Sequence, residues 1–375
     1  MIKVMSIFGT RPEAIKMCPL VKALEADGDI ESVVAVTAQH REMLDSALDY
    51  FGVKPKYDLN IMKRGQTLST ITADVILGLE ELLKNERPDL VLVHGDTTTS
   101  FAAALSAFYA KCAVGHVEAG LRTYDKYSPY PEEMNRCLTS RIAELHFAPT
   151  EHSRENLAAE GIVRGVYVTG NTALDAFKYT VKPDWKFDDP RLSALDFERY
   201  RVIVVTAHRR ENQNGGIENV CRAIFELAER HPELLFVYPV HLSPAVREPV
   251  FRLLDSHERI ILTDPVDVAD MHNLLSRSHF ILTDSGGIQE EAPSFGKPVL
   301  VLRSETERPE AVEAGTVKVV GTDTARVVAE AERLLCDKDE YRRMSEAKNP
   351  YGDGHASERI IAAIKEYFAG KGHRI

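Results

Sequence analysis

Short β-branched runs alternate with longer amphipathic stretches along almost the whole chain. Residues 2–8 (IKVMSIF) read as a strand, 12–26 as a helix, 32–37 as a strand and 67–84 as a helix. A strand at 90–94, a helix at 100–110, a strand at 114–117 and a helix at 131–145 continue the rhythm. In the second half, strands are expected at 202–206, 234–240, 260–262, 280–283 and 299–302. Several are apolar on both faces (LVLVH, VIVVT, PVLVL), the pattern of parallel strands covered by helices on both sides. Alternation of this kind predicts a doubly wound α/β architecture. The Lys-, Asp- and Pro-rich stretch 181–190 interrupts it and reads as a surface connection. Two Rossmann-like domains with an interdomain cleft are therefore expected, at 1–170 and 171–355. A last helix, about 356–375, follows a turn-rich break and is expected to pack back on the first.

Length agrees with that division, since 375 residues suit two domains. Lys plus Arg total 46 against 57 Asp plus Glu, a net charge of −11 that disfavours nucleic acid or an anionic membrane as partner. No apolar run approaches the roughly 18 residues of a membrane span, and the N-terminus lacks the basic-then-apolar layout of a secretory signal. The five cysteines are scattered, without a CxxC pair, and read as small buried residues in a reducing compartment. A cytoplasmic location is expected.

Candidate chemistry sits where strands end, because open α/β sheets bind ligands beyond the carboxyl ends of their strands. The first strand runs into Phe8-Gly-Thr-Arg-Pro-Glu13, where Thr10 caps a helix and Arg11 is projected beside helix-start amides, a place for phosphate. Two further strands end in His94-Gly-Asp96 and His116-Val-Glu118, each presenting a histidine and a carboxylate on one face. Either these pairs ligate a metal, or the histidines orient carboxylates that act as acids and bases. Glu132-Glu133 opens a helix and adds a third candidate. For any single acid the plainer reading is that Asp96 caps the next helix and Glu132 supports its dipole; three at strand and helix tips favour chemistry. In the second half, His208-Arg209-Arg210 follows a strand and faces an anion, and Asn212–Gly216 is expected to let backbone approach a ligand. Thr283-Asp-Ser-Gly-Gly-Ile-Gln-Glu-Glu291 joins a strand to a helix through two glycines, a cradle for a diphosphate with a carboxylate one turn on for ribose hydroxyls. Arg308 supplies a further cation. There is no GxGxxG and no Walker loop, so the elements indicate a nucleoside-diphosphate or nucleotide-sugar site and no bound dinucleotide.

These motifs, with Gly115-His-Val-Glu-Ala-Gly-Leu-Arg122, Pro131-Glu-Glu133, Ala207-His-Arg-Arg-Glu211 and Glu307-Arg-Pro-Glu310, resemble the bacterial non-hydrolysing UDP-N-acetylglucosamine 2-epimerases. The likeness runs in order from residue 2 to the Asn349-Pro-Tyr-Gly-Asp-Gly354 turn. It implies a glycosyltransferase-B-like fold and interconversion of UDP-GlcNAc with UDP-ManNAc through 2-acetamidoglucal, feeding surface polysaccharide synthesis. It implies no cofactor and no metal. It makes Asp96, Glu118, Glu132 and His208 catalytic, and Arg11, Lys16, Ser285, Gly286, Gly287, Glu291 and Arg308 binding residues for UDP, with Glu291 on the ribose. Gln39, Arg209 and His241 match positions expected to touch a second UDP-GlcNAc acting as activator, although Glu42 and Gly65 depart from the usual pattern there. A homodimer is expected. The alternatives are a hydrolysing epimerase, a glycosyltransferase on the same fold, a UDP-sugar sensor and a metal hydrolase built on His94, Asp96, His116 and Glu118.

Overall fold

Strand Ile2–Phe8 (β1) sets the frame of the first unit. Alternate residues Ile2, Val4 and Phe8 join one core layer, with Met17, Leu20 and Leu24 of helix Arg11–Ala26. Met5 and Ile7 join the layer on the other face, with Val75 and Leu79 of helix Leu68–Glu86 and Ala103 and Ala107 of helix Thr98–Tyr109. The period of two thus serves two buried faces, as a parallel sheet requires. The computed structural model describes residues 1–37, 41–61, 63 and 65–370.

Six more strands follow: Ile30–Val36 (β2), Tyr57–Asp58 (β3), Leu90–His94 (β4), Ala113–Val117 (β5), Leu145–Ala148 (β6) and Val166–Val168 (β7). They form one parallel sheet in the order β3-β2-β1-β4-β5-β6-β7. The second sheet contains Arg201–Thr206 (β8), Leu234–Pro239 (β9), Ile260–Thr263 (β10), Phe280–Thr283 (β11), Val299–Val301 (β12) and Val317–Val319 (β13), ordered β10-β9-β8-β11-β12-β13 and again parallel. Both orders are of the dinucleotide-fold type, reversing direction at one switch point, β1/β4 in the first sheet and β8/β11 in the second.

By contacts the chain divides into two compact units, Met1–Tyr179 with Tyr351–Ile375, and Thr180–Pro350. Helix Ala356–Gly370 belongs to the first, where Ile360, Ile364 and Phe368 enter the same core layer as Met17. Its start is fixed by Asp175, whose two carboxylate oxygens accept from Ala356 N (3.0 Å) and Ser357 N. Residues 371–375, included in the helix expected from sequence, lie outside the described residues. Stretch 181–190 is held against helix Val268–Arg277 of its own unit: Trp185 Nε1 donates to Asp270 Oδ1 (2.7 Å) and Lys182 N to Asn273 Oδ1 (3.1 Å).

Two expectations are corrected. The helix expected over 131–145 is Glu132–Ile142, because Leu145 starts β6, fully buried between β5 and β7. Cys18 and Cys221 are buried, but Cys336 is exposed and Cys112 and Cys137 are intermediate; all five are free thiols. Among the described residues, no helix is long and apolar enough to cross a membrane.

Three histidines, His116 and His146 buried and His279 half-buried, resist protonation. Burial holds His116 down to about 3, and His146 and His279 down to about 4, each below the ordinary 6.5. Between those values and 6.5 the unfolded chain binds more protons than the folded one, so stability is lost as pH falls through that window. The thermal midpoint is expected to drop progressively from pH 7 to pH 4.5. A midpoint constant over that range would contradict burial of the neutral rings.

Candidate functional site

In the first unit the loops leaving β1 and β4 diverge at the switch point, and one buried carboxylate ties them together. Glu13, 2% exposed, accepts through Oε2 from Gly9 N (3.1 Å), Thr10 N (2.8 Å) and Thr10 Oγ1 (2.7 Å). Its Oε1 accepts from Thr97 Oγ1 and Ser100 Oγ, both at 2.9 Å. Thr10 and Glu13 form a capping box at the start of helix Arg11–Ala26, which places Arg11 in its first turn. The next helix, Thr98–Tyr109, is capped by Thr97 and not by Asp96. The carboxylate of Asp96 is therefore free of the capping role and meets the Arg136 guanidinium at 2.7 Å, while its backbone carbonyl accepts from Asn135 Nδ2 at 2.9 Å. Glu132 stands four residues before Arg136 on helix Glu132–Ile142, hence on the same face.

Glu118 follows β5 with φ +63°, a left-handed conformation that is costly for a side chain of this kind and that recurs at functional sites. Its carboxylate pairs with Lys16 Nζ of helix Arg11–Ala26 and lies 3.5 Å from His94 Nε2. Burial pushes the Glu118 carboxyl up, but the Lys16 ammonium and His94 outweigh it and hold the group well below the usual carboxylate range. Glu118 rests as a carboxylate. His116 turns away from it: the Gly95 carbonyl can only accept, so His116 Nε2 carries the proton and donates to it at 2.7 Å. Gly95, at φ +62°, needs the freedom of glycine to make that turn. Among the described residues no group of three or more His, Cys, Asp or Glu side chains is placed to hold a metal ion.

In the second unit the switch point lies between β8 and β11, and again a buried carboxylate joins the two tips. Asp284 Oδ2 accepts from His208 N (2.8 Å), Arg209 N (2.8 Å) and Asn212 Nδ2 (2.9 Å). Asn212 thus faces inward, bonding Asp284 and the Leu302 carbonyl. His208 stacks on His241 with ring centroids 5.3 Å apart, and burial lowers its pKa from the ordinary value.

Ser285 stands at the N-cap of the short helix Gly286–Glu291, and two guanidinium groups converge on the first glycine of that helix. A Cβ at residue 286 would lie 3.5 Å from Arg308 Nη2 and 3.7 Å from Arg209 Nη2. A Cβ at residue 287 would lie 3.8 Å from Glu291 Oε1 and 4.0 Å from Ser285 Oγ. Arg308 is oriented by Glu290, which is buried and pairs with its Nε. Two cations, a hydroxyl and a backbone stripped of side chains fit the charge and size of a phosphate. Gly286→Ala is expected to fold normally, since residue 286 has no left-handed φ, and to weaken binding of a nucleoside diphosphate at least about tenfold by filling the cradle. Unchanged affinity by calorimetry would place the phosphates elsewhere.

Lys16, His94 and Glu118 thus come together in the first unit, as do Asp96 and Arg136, while Ser285, Gly286, Gly287, Arg209, Arg308 and Glu291 come together in the second. Gln39 lies outside the described residues, as does the Glu42 side chain. A cavity of about 650 Å³ in the first unit, lined by Ile76, Glu80, Lys84, Arg87, Tyr109 and Cys112 among others, contains none of these residues. Glu13, Arg136 and Asp284 were missed by sequence reasoning. The Thr10-x-x-Glu13 spacing was a readable signal for the first; the other two act through tertiary pairing.

Two Rossmann-type units with carboxylates at one switch point and an anion cradle at the other define a class, proteins that act on a nucleotide sugar. The model of the family described as UDP-N-acetylglucosamine 2-epimerase matches residues 22–365. UDP-N-acetylglucosamine 2-epimerase of Bacillus subtilis is 55% identical over 364 residues, 97% of this chain and 95% of its own. The crystal structure of UDP-GlcNAc 2-epimerase from Neisseria meningitidis bound to UDP-GlcNAc superposes with a TM-score of 0.87 at 50% identity, covering 97% of this chain and all of its own. A glycosyltransferase of kitacinnamycin, 13% identical, shares the fold with a TM-score of 0.65. The fold is of the glycosyltransferase-B type. The chain belongs to the UDP-N-acetylglucosamine 2-epimerase family and is an isomerase.

Proposed function

We propose that the protein interconverts UDP-N-acetylglucosamine and UDP-N-acetylmannosamine without releasing the sugar, by elimination and re-addition of UDP. The observation that carries this reading is the Lys16–Glu118–His94 cluster, a partly buried carboxylate at a strand tip held in its ionised form between two nitrogen groups. The proton on C2 of the sugar is not acidic, so the C1–O bond must break as it is removed. The bonding pair of C1–O leaves with UDP, the C2–H pair forms the C1=C2 double bond of 2-acetamidoglucal, and the proton passes to a carboxylate. Returning a proton to the other face of C2 and UDP oxygen to C1 completes the inversion. Two faces require two proton-transfer groups; Asp96, Glu118 and Glu132 are the candidates, with Asp96 steered by Arg136.

The departing diphosphate gathers negative charge, and Arg308, Arg209 and the Ser285–Gly287 backbone are preorganised to stabilise it. His208, kept neutral by burial, acts beside the phosphates, and Glu291 takes the ribose hydroxyls. Activation by a second UDP-GlcNAc through Arg209 and His241, a homodimer and a role in surface polysaccharide synthesis belong to the same reading. UDP-GlcNAc labelled with ¹⁸O at the oxygen joining C1 to phosphorus tests the elimination. Label is expected to scramble into the other β-phosphate oxygens at about the rate of epimerisation; retention of the label at the joining position would rule out C–O cleavage.

A further inference from the structure

The second unit contains a histidine that the chemistry above leaves unused. His272, on helix Val268–Arg277, is 1% exposed, yet both ring nitrogens have polar neighbours. Its Nε2 lies 3.5 Å from Glu291 Oε2, and its Nδ1 lies 2.8 Å from the hydroxyl of Thr180, itself fully buried. The other carboxylate oxygen of Glu291, Oε1, is the one facing Gly287. We propose that His272 is a positioning residue for the nucleotide, holding the Glu291 carboxylate so that Oε1 is presented to the ribose hydroxyls. This rests on the reading of Glu291 as the ribose acceptor.

The direction of each bond follows from the groups. Nδ1 accepts from the Thr180 hydroxyl at 2.8 Å, which leaves the ring proton on Nε2, the nitrogen that faces the Glu291 carboxylate across 3.5 Å. The last torsion of a glutamate side chain is broad and soft, so a free carboxylate would present its oxygens to the diol at many angles. A donor on one oxygen removes that freedom, as second-shell contacts do in preorganised sites. The relay is itself anchored: Asn273, next along the helix, donates to the Thr180 carbonyl (2.7 Å) and accepts from Lys182 N (3.1 Å). Thr180 is the first residue of the second unit after the chain leaves the first.

The test compares calorimetric affinities of the full-length protein for UDP and for 2′,3′-dideoxy-UDP, which lacks only the hydroxyls in question. Wild type is expected to favour UDP by about tenfold or more, the worth of a charged hydrogen bond. His272→Phe should collapse that preference at least about fivefold while leaving affinity for the dideoxy nucleotide within about twofold. His272→Gln, whose amide nitrogen can replace Nε2, should restore it, and Thr180→Val should show a smaller loss in the same direction. If Glu291→Ala abolishes the preference but His272→Phe and Thr180→Val leave it at the wild-type value, the positioning role is overturned. Equal loss for both nucleotides, without rescue by glutamine, would likewise overturn it and mark a packing role. A preference that survives Glu291→Ala would instead overturn the ribose reading of Glu291, and the proposal with it.

Discussion

Replacing Glu118 with glutamine is expected to lower turnover about 10³-fold, in the range removed with a proton-transfer group, while the protein remains folded. The expectation follows from the environment of the side chain. Burial alone would favour the neutral acid, yet the Lys16 ammonium and His94 hold the carboxyl well below its usual range. Glutamine keeps the shape and one acceptor oxygen but has no basic oxygen to receive a proton. The backbone at this position is left-handed, and a strained residue is retained only where its surroundings require it. The comparison is of kcat at saturating UDP-GlcNAc, with circular dichroism as the check on folding. Full activity would remove Glu118 from the chemistry. Asp96→Asn is expected to act in the same direction, since it also weakens the 2.7 Å pairing with Arg136.

Glu13→Ala is expected to have the largest effect on stability, about 3–5 kcal/mol, because five donors lose the Glu13 carboxylate at once and each one left buried without an acceptor costs about 1–3 kcal/mol, although Ser100 Oγ keeps the His94 carbonyl and Thr97 Oγ1 the Ser100 hydroxyl. The loss is less than five full penalties because water reaches the half-exposed end of the cluster at Thr10. Two of the donors are backbone N–H groups of the β1 loop, and two are hydroxyls at the start of the helix after β4. Their release would loosen both loops at the switch point, and with them Arg11 and Asp96. Amide hydrogen exchange at Gly9 and Thr10 should speed up by orders of magnitude, and the thermal midpoint should fall. Glu13→Gln, which keeps one good acceptor, should cost less. A midpoint within a degree of wild type for Glu13→Ala would show that the carboxylate does not join the loops.

The elements that positioned this site were those most readable from sequence. Strands 2–8, 90–94 and 280–283 were anticipated with the ends later observed, because a parallel strand between helix layers is apolar on both faces and stops abruptly at its turn. Thr10 was legible as a helix start because its hydroxyl can cap the first turn, which it does. Strand β6 was not, since Leu145-His-Phe-Ala148 continues the apolar spacing of the preceding helix and only pairing with β5 and β7 separates it. Likewise the choice between Asp96 as cap and Asp96 as acid could not be made locally. It turned on Thr97 taking the cap and on Arg136 arriving from a helix 40 residues away in sequence. Asp284 was visible only as a member of a loop motif; its three donors come from the neighbouring strand tip, which the order β8-β11 brings beside it.

The most direct measurement is proton NMR of the purified protein with UDP-GlcNAc in D₂O, with neither metal nor nicotinamide cofactor added. The account predicts that UDP-ManNAc appears and that deuterium enters C2 of both sugars as the two equilibrate. UDP-ManNAc that retains its C2 proton would contradict removal of that proton by a carboxylate exchanging with solvent. Free N-acetylmannosamine with UDP would contradict re-addition and point to hydrolysis.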